Sequence, residues 1–114
     1  MYFITAMTQE KIVNIGRFYN GVSSIPGAHS RTFGFFITEE RAKNAVSNNE
    51  MGLHETLYDF LVVEQIDEGI YEPTTSQLWY EWIDDKWEEC NAPDAVNRYC
   101  SLGDGRFVSF AHVG

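Results

Sequence analysis

The stretch Tyr58-Asp59-Phe60-Leu61-Val62-Val63-Glu64-Gln65-Ile66 decides the fold. Tyr58, Phe60, Val62 and Ile66 share one parity, while Asp59, Leu61, Val63 and Gln65 take the other. Alternate residues of a strand point to opposite faces. Apolar residues on both parities around Leu61-Val62-Val63 therefore predict a central strand covered on at least part of each face. Asp67-Glu68-Gly69 ends it.

Working outward, Tyr2 to Met7 is aromatic and β-branched and reads as a strand. Thr8 to Tyr19 suits either a short helix capped by Thr8 or a strand, and Asn20 to Ser30 reads as a surface loop. Arg31 to Ile37 is a second strand, in which Gly34 signals a bulge or a close backbone approach. Thr38 is placed to cap a helix opening on Glu39 and Glu40, where the helix dipole favours acids. Ala42, Ala45 and Val46 give that helix a narrow face of small apolar residues, and Asn48-Asn49 stops it. Met51 to Leu57 is a connection. Ser76 to Ile83 and Lys86 to Cys90 form a hairpin turning at Asp84-Asp85, and Asn97 to Leu102 pairs with Arg106 to His112 around Gly103-Asp104-Gly105. The expected architecture is a single α+β domain over 1–114. It is a mostly antiparallel sheet of about five to six strands with one short helix packed on it.

A length of 114 residues suits one domain. No apolar run approaches the roughly 20 residues of a bilayer-spanning helix. Met1 to Glu10 lacks the basic and apolar regions of a secretory signal. Cys90 and Cys100 are ten positions apart and form no metal-type pair or disulfide framework. Reduced thiols in the cytoplasm are the expectation.

The formal net charge is −9, and it is unevenly spread. Between Glu64 and Asp94 stand ten acidic residues against the single cation Lys86. A local negative field of this kind repels nucleic acid, whose binding needs Lys and Arg, and attracts basic partners. Direct binding of DNA or RNA is disfavoured. The plain alternative is an acidic surface that only solubilises the protein.

Catalytic and metal motifs fail on inspection. His54-Glu55 opens like a zinc-protease helix, but the second histidine would fall at Tyr58. His29, His54 and His112 are scattered, Gly103-x-Gly105 lacks the rest of a phosphate loop, and no Gly-x-Ser-x-Gly elbow exists. Asp84-Asp85 and Glu88-Glu89 are adjacent pairs, which point to opposite faces of a strand and do not converge on one atom. No catalytic residue, cofactor or metal ligand is expected, and the chain does not read as an enzyme.

The segment Trp79-Tyr80-Glu81-Trp82-Ile83-Asp84-Asp85-Lys86-Trp87-Glu88-Glu89 holds all three tryptophans among acids. Exposed aromatics rimmed by charge mark binding surfaces. The expected partner-binding set is Trp79, Glu81, Trp82, Asp84, Asp85, Trp87, Glu88 and Glu89, with Trp82 and Trp87 as anchors. The competing reading places these rings in the core of a small domain. A second candidate set would take a nucleotide-like ligand: Arg31, Arg98 or Arg106 on phosphate, with His54, Glu55 and Tyr58 lining a pocket at the sheet's end. A homo-oligomer would gather one Arg from each subunit. The plain reading of Arg31 is a surface ion pair, and that of His54-Glu55 a stabilised turn.

Several blocks carry a resemblance: Met1-Tyr2-Phe3-Ile4, Arg31-Thr32-Phe33-Gly34-Phe35-Phe36, the helix from Ala42 to Asn49, Glu55 to Glu64, Glu68-Gly69-Ile70-Tyr71, and Trp79-Tyr80 with its acidic continuation to Pro93. In this order they resemble a family of small acidic proteins from Gram-positive anaerobes and their phages and mobile elements. The likeness brings no catalytic signature, so no functional residue is carried over. It implies a context, since small accessory genes on phages often encode counter-defence proteins. The expected function is non-enzymatic inhibition of a basic, nucleic-acid-binding host defence factor in the host cytoplasm, with no membrane association. The alternatives are a nucleotide-signal sponge and a cellular accessory module.

Overall fold

The computed structural model describes residues 1–9, 12, 30–49, 58–66, 74, 76–102 and 105–111. Its elements are β1 (Tyr2–Met7), β2 (Ser30–Phe36), α1 (Glu39–Ser47), β3 (Phe60–Gln65), β4 (Ser76–Ile83), β5 (Lys86–Cys90) and α2 (Asp94–Tyr99). The five strands form one sheet in the order β2-β1-β3-β4-β5, antiparallel throughout. The fold is α+β. The run that is apolar on both parities is the middle strand, β3, hydrogen-bonded to β1 on one side and β4 on the other.

Register sorts the side chains into two cores. On one face Ile4, Ala6, Leu61, Val63, Tyr80 and Trp87 lie under Ala42, Ala45 and Val46 of α1. On the other, Met7, Val62 and Trp79 lie under Val96 of α2, Cys100 just beyond it, and Phe110 of the C-terminal segment. Both faces are covered because α2 closes the side opposite α1.

Local chemistry explains the boundaries. Thr38 is extended (φ −118°, ψ 149°), and its hydroxyl accepts a hydrogen bond from the Arg41 N–H at 3.3 Å. This satisfies one of the donors that a helix start leaves open. The small residues of α1 let its axis approach the sheet closely. In β2 the register slips between Ile4 and Thr5, whose partners are Gly34 and Thr32. Phe33 is the extra residue of this bulge, and it packs against the core under α1. A Cβ built on Gly34 would meet nothing within 4 Å. The glycine therefore marks the bulge and not a close backbone approach.

Two expectations need correction. Among the described residues two short helices are delimited where one was expected, and Asp94–Tyr99 is helical, so the expected partner strand Asn97 to Leu102 shrinks to its end: Ser101 bridges Phe107 and the Leu102 N–H donates to the Arg106 carbonyl. Pro93 at the cap, Asp94 in the first turn and Arg98 in the last suit the helix dipole, and Val96 and Cys100, one turn apart, both reach the core. In the segment 105–111, Phe107 forms isolated bridges to Thr74 and Ser101. The stretches Thr8 to Tyr19, Asn20 to Ser30 and Met51 to Leu57 lie wholly or largely outside the described residues.

Candidate functional site

The acidic segment is the β4–β5 hairpin. Asp84 and Asp85 both have positive φ, 51° and 63°, which is the backbone of a two-residue type I′ turn. That turn matches the right-handed twist of the flanking strands and aims two carboxylates outward at the tip, where both residues are exposed. Behind the tip the register pairs Ile83 with Lys86, Trp82 with Trp87, Glu81 with Glu88, and Tyr80 with Glu89. Glu81 and Glu88 therefore stand directly opposite each other on one face. Lys86 Nζ lies 3.2 Å from Glu88 Oε1, with both side chains well exposed. A pair so wetted contributes about 0–1 kcal/mol and leaves the acids in excess.

The tryptophans divide differently from the expectation. Trp79 is 2% exposed and Trp87 8%. The Trp79 ring meets Phe110 edge-on with centroids 5.5 Å apart, and Trp87 meets Trp82 at 5.1 Å and 68°. Trp79 and Trp87 are core residues, because each face of the sheet carries a helix, and neither is available as a docking anchor. Trp82 remains half-buried at the margin of the core under α1. The Trp87 Nε1–H is buried without a hydrogen-bond partner. Ile83, 38% exposed beside the turn, is the apolar group that the sequence reading did not single out.

The helix adds charge that the sequence could not place. Burial first, then the carboxylates of Glu89 and Glu39, push the Tyr80 hydroxyl up to about 12. Glu39, from the first turn of α1, therefore joins the field of Glu89 on β5. On the other face burial, then Glu81 and Glu89, raise the Cys90 thiol above its usual range. Glu39 and Glu40 are exposed, so α1 extends the acidic surface beyond the hairpin.

The second candidate set is brought together in part. The Arg31 guanidinium lies 5.0 Å from the centroid of Phe33, and Phe33 meets Tyr58 edge-on at 5.9 Å and 89°. Arg31 and Tyr58 thus share one aromatic ring on the α1 side of the sheet. Arg98 and Arg106 are exposed on α2 and the C-terminal segment, which belong to the other side. His54 and Glu55 lie outside the described residues. Among the described residues no three His, Cys, Asp or Glu side chains are grouped to hold a metal ion, and no helix is long and apolar enough to cross a membrane. No protein-family model, curated protein or solved structure matches the chain.

Proposed function

We propose that the protein is a non-enzymatic inhibitor that docks its acidic β4–β5 hairpin on a basic, nucleic-acid-binding protein surface. The supporting observation is that the hairpin sets like charges side by side, an arrangement expected to cost it stability. Glu81 faces Glu88 across the strands, an arrangement worth up to ~1 kcal/mol against the fold. Asp84 and Asp85 hold left-handed backbone that L-residues adopt with strain. A positive partner surface would recover the repulsion on contact. Its field would also raise the encounter rate by roughly 10- to 1,000-fold at low salt. Short-range affinity would come from Ile83 and the exposed part of Trp82 at the margin. The counter-defence role follows from the resemblance to small accessory proteins of phages and mobile elements, and it places the encounter in the host cytoplasm.

The test is capture from host lysate on immobilised protein, with the bound species eluted by salt. Basic proteins should leave as ionic strength rises. A variant carrying Glu81→Gln, Asp84→Asn, Asp85→Asn, Glu88→Gln and Glu89→Gln should associate at least tenfold more slowly. Salt-insensitive capture, or equal association by the neutral variant, would refute the reading.

The stack of Arg31, Phe33 and Tyr58 favours one second reading, a sponge for a nucleotide-like ligand with the base on the rings and phosphate on arginine. Native mass spectrometry of gently purified protein decides it. A reproducible nucleotide-sized adduct supports the sponge, and an adduct-free species removes it.

A further inference from the structure

Glu64 is a carboxyl group in the middle strand with no exposure to solvent. Both of its oxygens face the C-terminal segment. The Phe110 N–H donates to Oε1 at 2.9 Å and to Oε2 at 3.0 Å, and Gln77 Nε2 donates to Oε2 at 2.9 Å. The same Gln77 amide reaches the Val108 carbonyl at 3.5 Å. The Phe110 ring seals the site by lying edge-on against Trp79. Beside this cluster, backbone hydrogen bonds fasten 105–111 to its described neighbours. Thr74 and Phe107 exchange two at 2.8 and 3.0 Å, Val108 donates to the Cys100 carbonyl at 2.9 Å, and Leu102 donates to Arg106 at 2.9 Å. A short irregular segment that lies outside the sheet's strand ladders can open without the sheet opening.

We infer that the segment 105–111 is a pH-operated latch: the neutral Glu64 carboxyl group holds it closed, and ionisation of that group favours its release into water. A neutral carboxyl group still offers an acceptor oxygen to the Phe110 N–H. An ionised one gains stronger hydrogen bonds, but its charge is sealed under Phe110 with no cation beside it among the described residues. Lifting the segment lets water reach the charge.

Among the described residues the surroundings of this group are largely apolar. On its face β1 presents Phe3, Thr5 and Met7, β4 presents Gln77 and Trp79, and the covering elements contribute Val96, Cys100, Val108 and Phe110. Among the described residues the Cys100 thiol lies in the same core and the Cys90 thiol packs against it. Glu81 shares the face of β4 but pairs with Phe60, four residues along the strand and so ~13 Å away, with the Lys86–Glu88 pair beyond it. Asp94, Arg98 and Arg106 stand exposed on the covering elements. Burial lifts the Glu64 pKa from 4.5 to about 7, against the lowering effect of hydrogen bonds from Gln77 and the Phe110 and Ala111 backbone. The switch therefore works through neutral pH.

Amide hydrogen exchange by NMR on the full chain tests it, with protection factors for Val108 and Phe110 corrected for intrinsic rates. Between pH 5 and pH 8 the opening constant of these amides should rise on the order of 50-fold. The opening should be almost independent of dilute urea, while Leu61 and Val62 exchange only through urea-sensitive unfolding. Glu64→Gln should abolish the pH response and leave the urea-independent opening. Flat wild-type protection, a pH response that persists in E64Q, or exchange of Phe110 only together with Leu61 would each overturn the latch. If E64Q does not fold, the wild-type profile and its urea dependence still decide.

Discussion

Replacing the tip of the hairpin separates its conformation from its charge. In Asp84→Asn/Asp85→Gly both positions receive the residues that a type I′ turn prefers. Left-handed backbone costs an ordinary L-residue about 1–2 kcal/mol, less for Asp and Asn, and glycine adopts it freely. Glycine gives back about half of the gain through the larger entropy of the unfolded chain. Removing two carboxylates from a hairpin that already carries Glu81, Glu88 and Glu89 adds a few tenths of a kcal/mol. The net expectation is a gain of about 1 kcal/mol. With an unfolding entropy of about 2.1 cal/mol/K per residue over 114 residues, this raises Tm by about 4 °C. Urea unfolding followed by tryptophan fluorescence should show a higher midpoint at unchanged slope. The control Asp84→Asn/Asp85→Asn keeps residues that tolerate φ of 51° and 63° and should capture only the charge part, about 0.3 kcal/mol. A midpoint for the glycine variant no higher than this control would refute the turn assignment and the stability cost on which the proposed docking surface rests. Under that proposal the stabilised variant also associates more slowly with its partner, so stability and binding move in opposite directions.

Three further outcomes follow from the cores and the buried carboxyl group. Trp79→Ala, at 2% exposure, should cost about 3–5 kcal/mol, whereas Trp82→Ala at the margin should cost less than half as much; equal midpoint losses in urea would contradict the burial pattern. Glu64 makes stability fall as pH rises, because its folded pKa of about 7 exceeds the unfolded 4.5. Its favourable contribution is complete below pH 4.5 and is lost as pH rises through 7, about 3 kcal/mol in all; urea midpoints at pH 5 and pH 8 measure it, and E64Q should remove that dependence. Gly34→Ala places a methyl group where nothing lies within 4 Å and should change stability by no more than about 0.5–1 kcal/mol, in the stabilising direction; a large loss would place an unseen neighbour beside the bulge.

The parts of the fold that the sequence announces are those set by local chemistry. Leu61-Val62-Val63 can satisfy apolar residues on both parities only as a strand covered on both sides. Thr38 followed by Glu39 and Glu40 is a helix start, and Asp84-Asp85 between two aromatic runs is a tight turn. Helix α2 was hidden because six residues give a single i, i+4 repeat, Val96 to Cys100, and the β-branched and aromatic residues around it suit a strand as well. That omission explains the misplaced Trp79, whereas Trp87 is buried on the opposite face under α1. Strand parity says which rings share a face but not whether the face is roofed. Without α2 the face of Trp79 looked open to a partner. The joint action of Glu39 and Glu89 on Tyr80 and the sealing of Glu64 under Phe110 bring together residues about 50 positions apart. Such separations leave no periodic signal.

The strand order β2-β1-β3-β4-β5 also sets a timetable for synthesis. β4 and β5 are joined by two residues and can pair as soon as both have left the ribosome. β1 acquires β2 early, but its other edge stays bare until β3 emerges, with Tyr2 paired to Gln65 and Met7 to Phe60. At about 5–20 residues per second this is an interval of several seconds. During it a half-finished chain carries an open apolar edge, which can recruit other nascent chains. The yield of folded protein should therefore depend on translation speed and chaperone supply between β2 and β3 more than on the strength of the finished core.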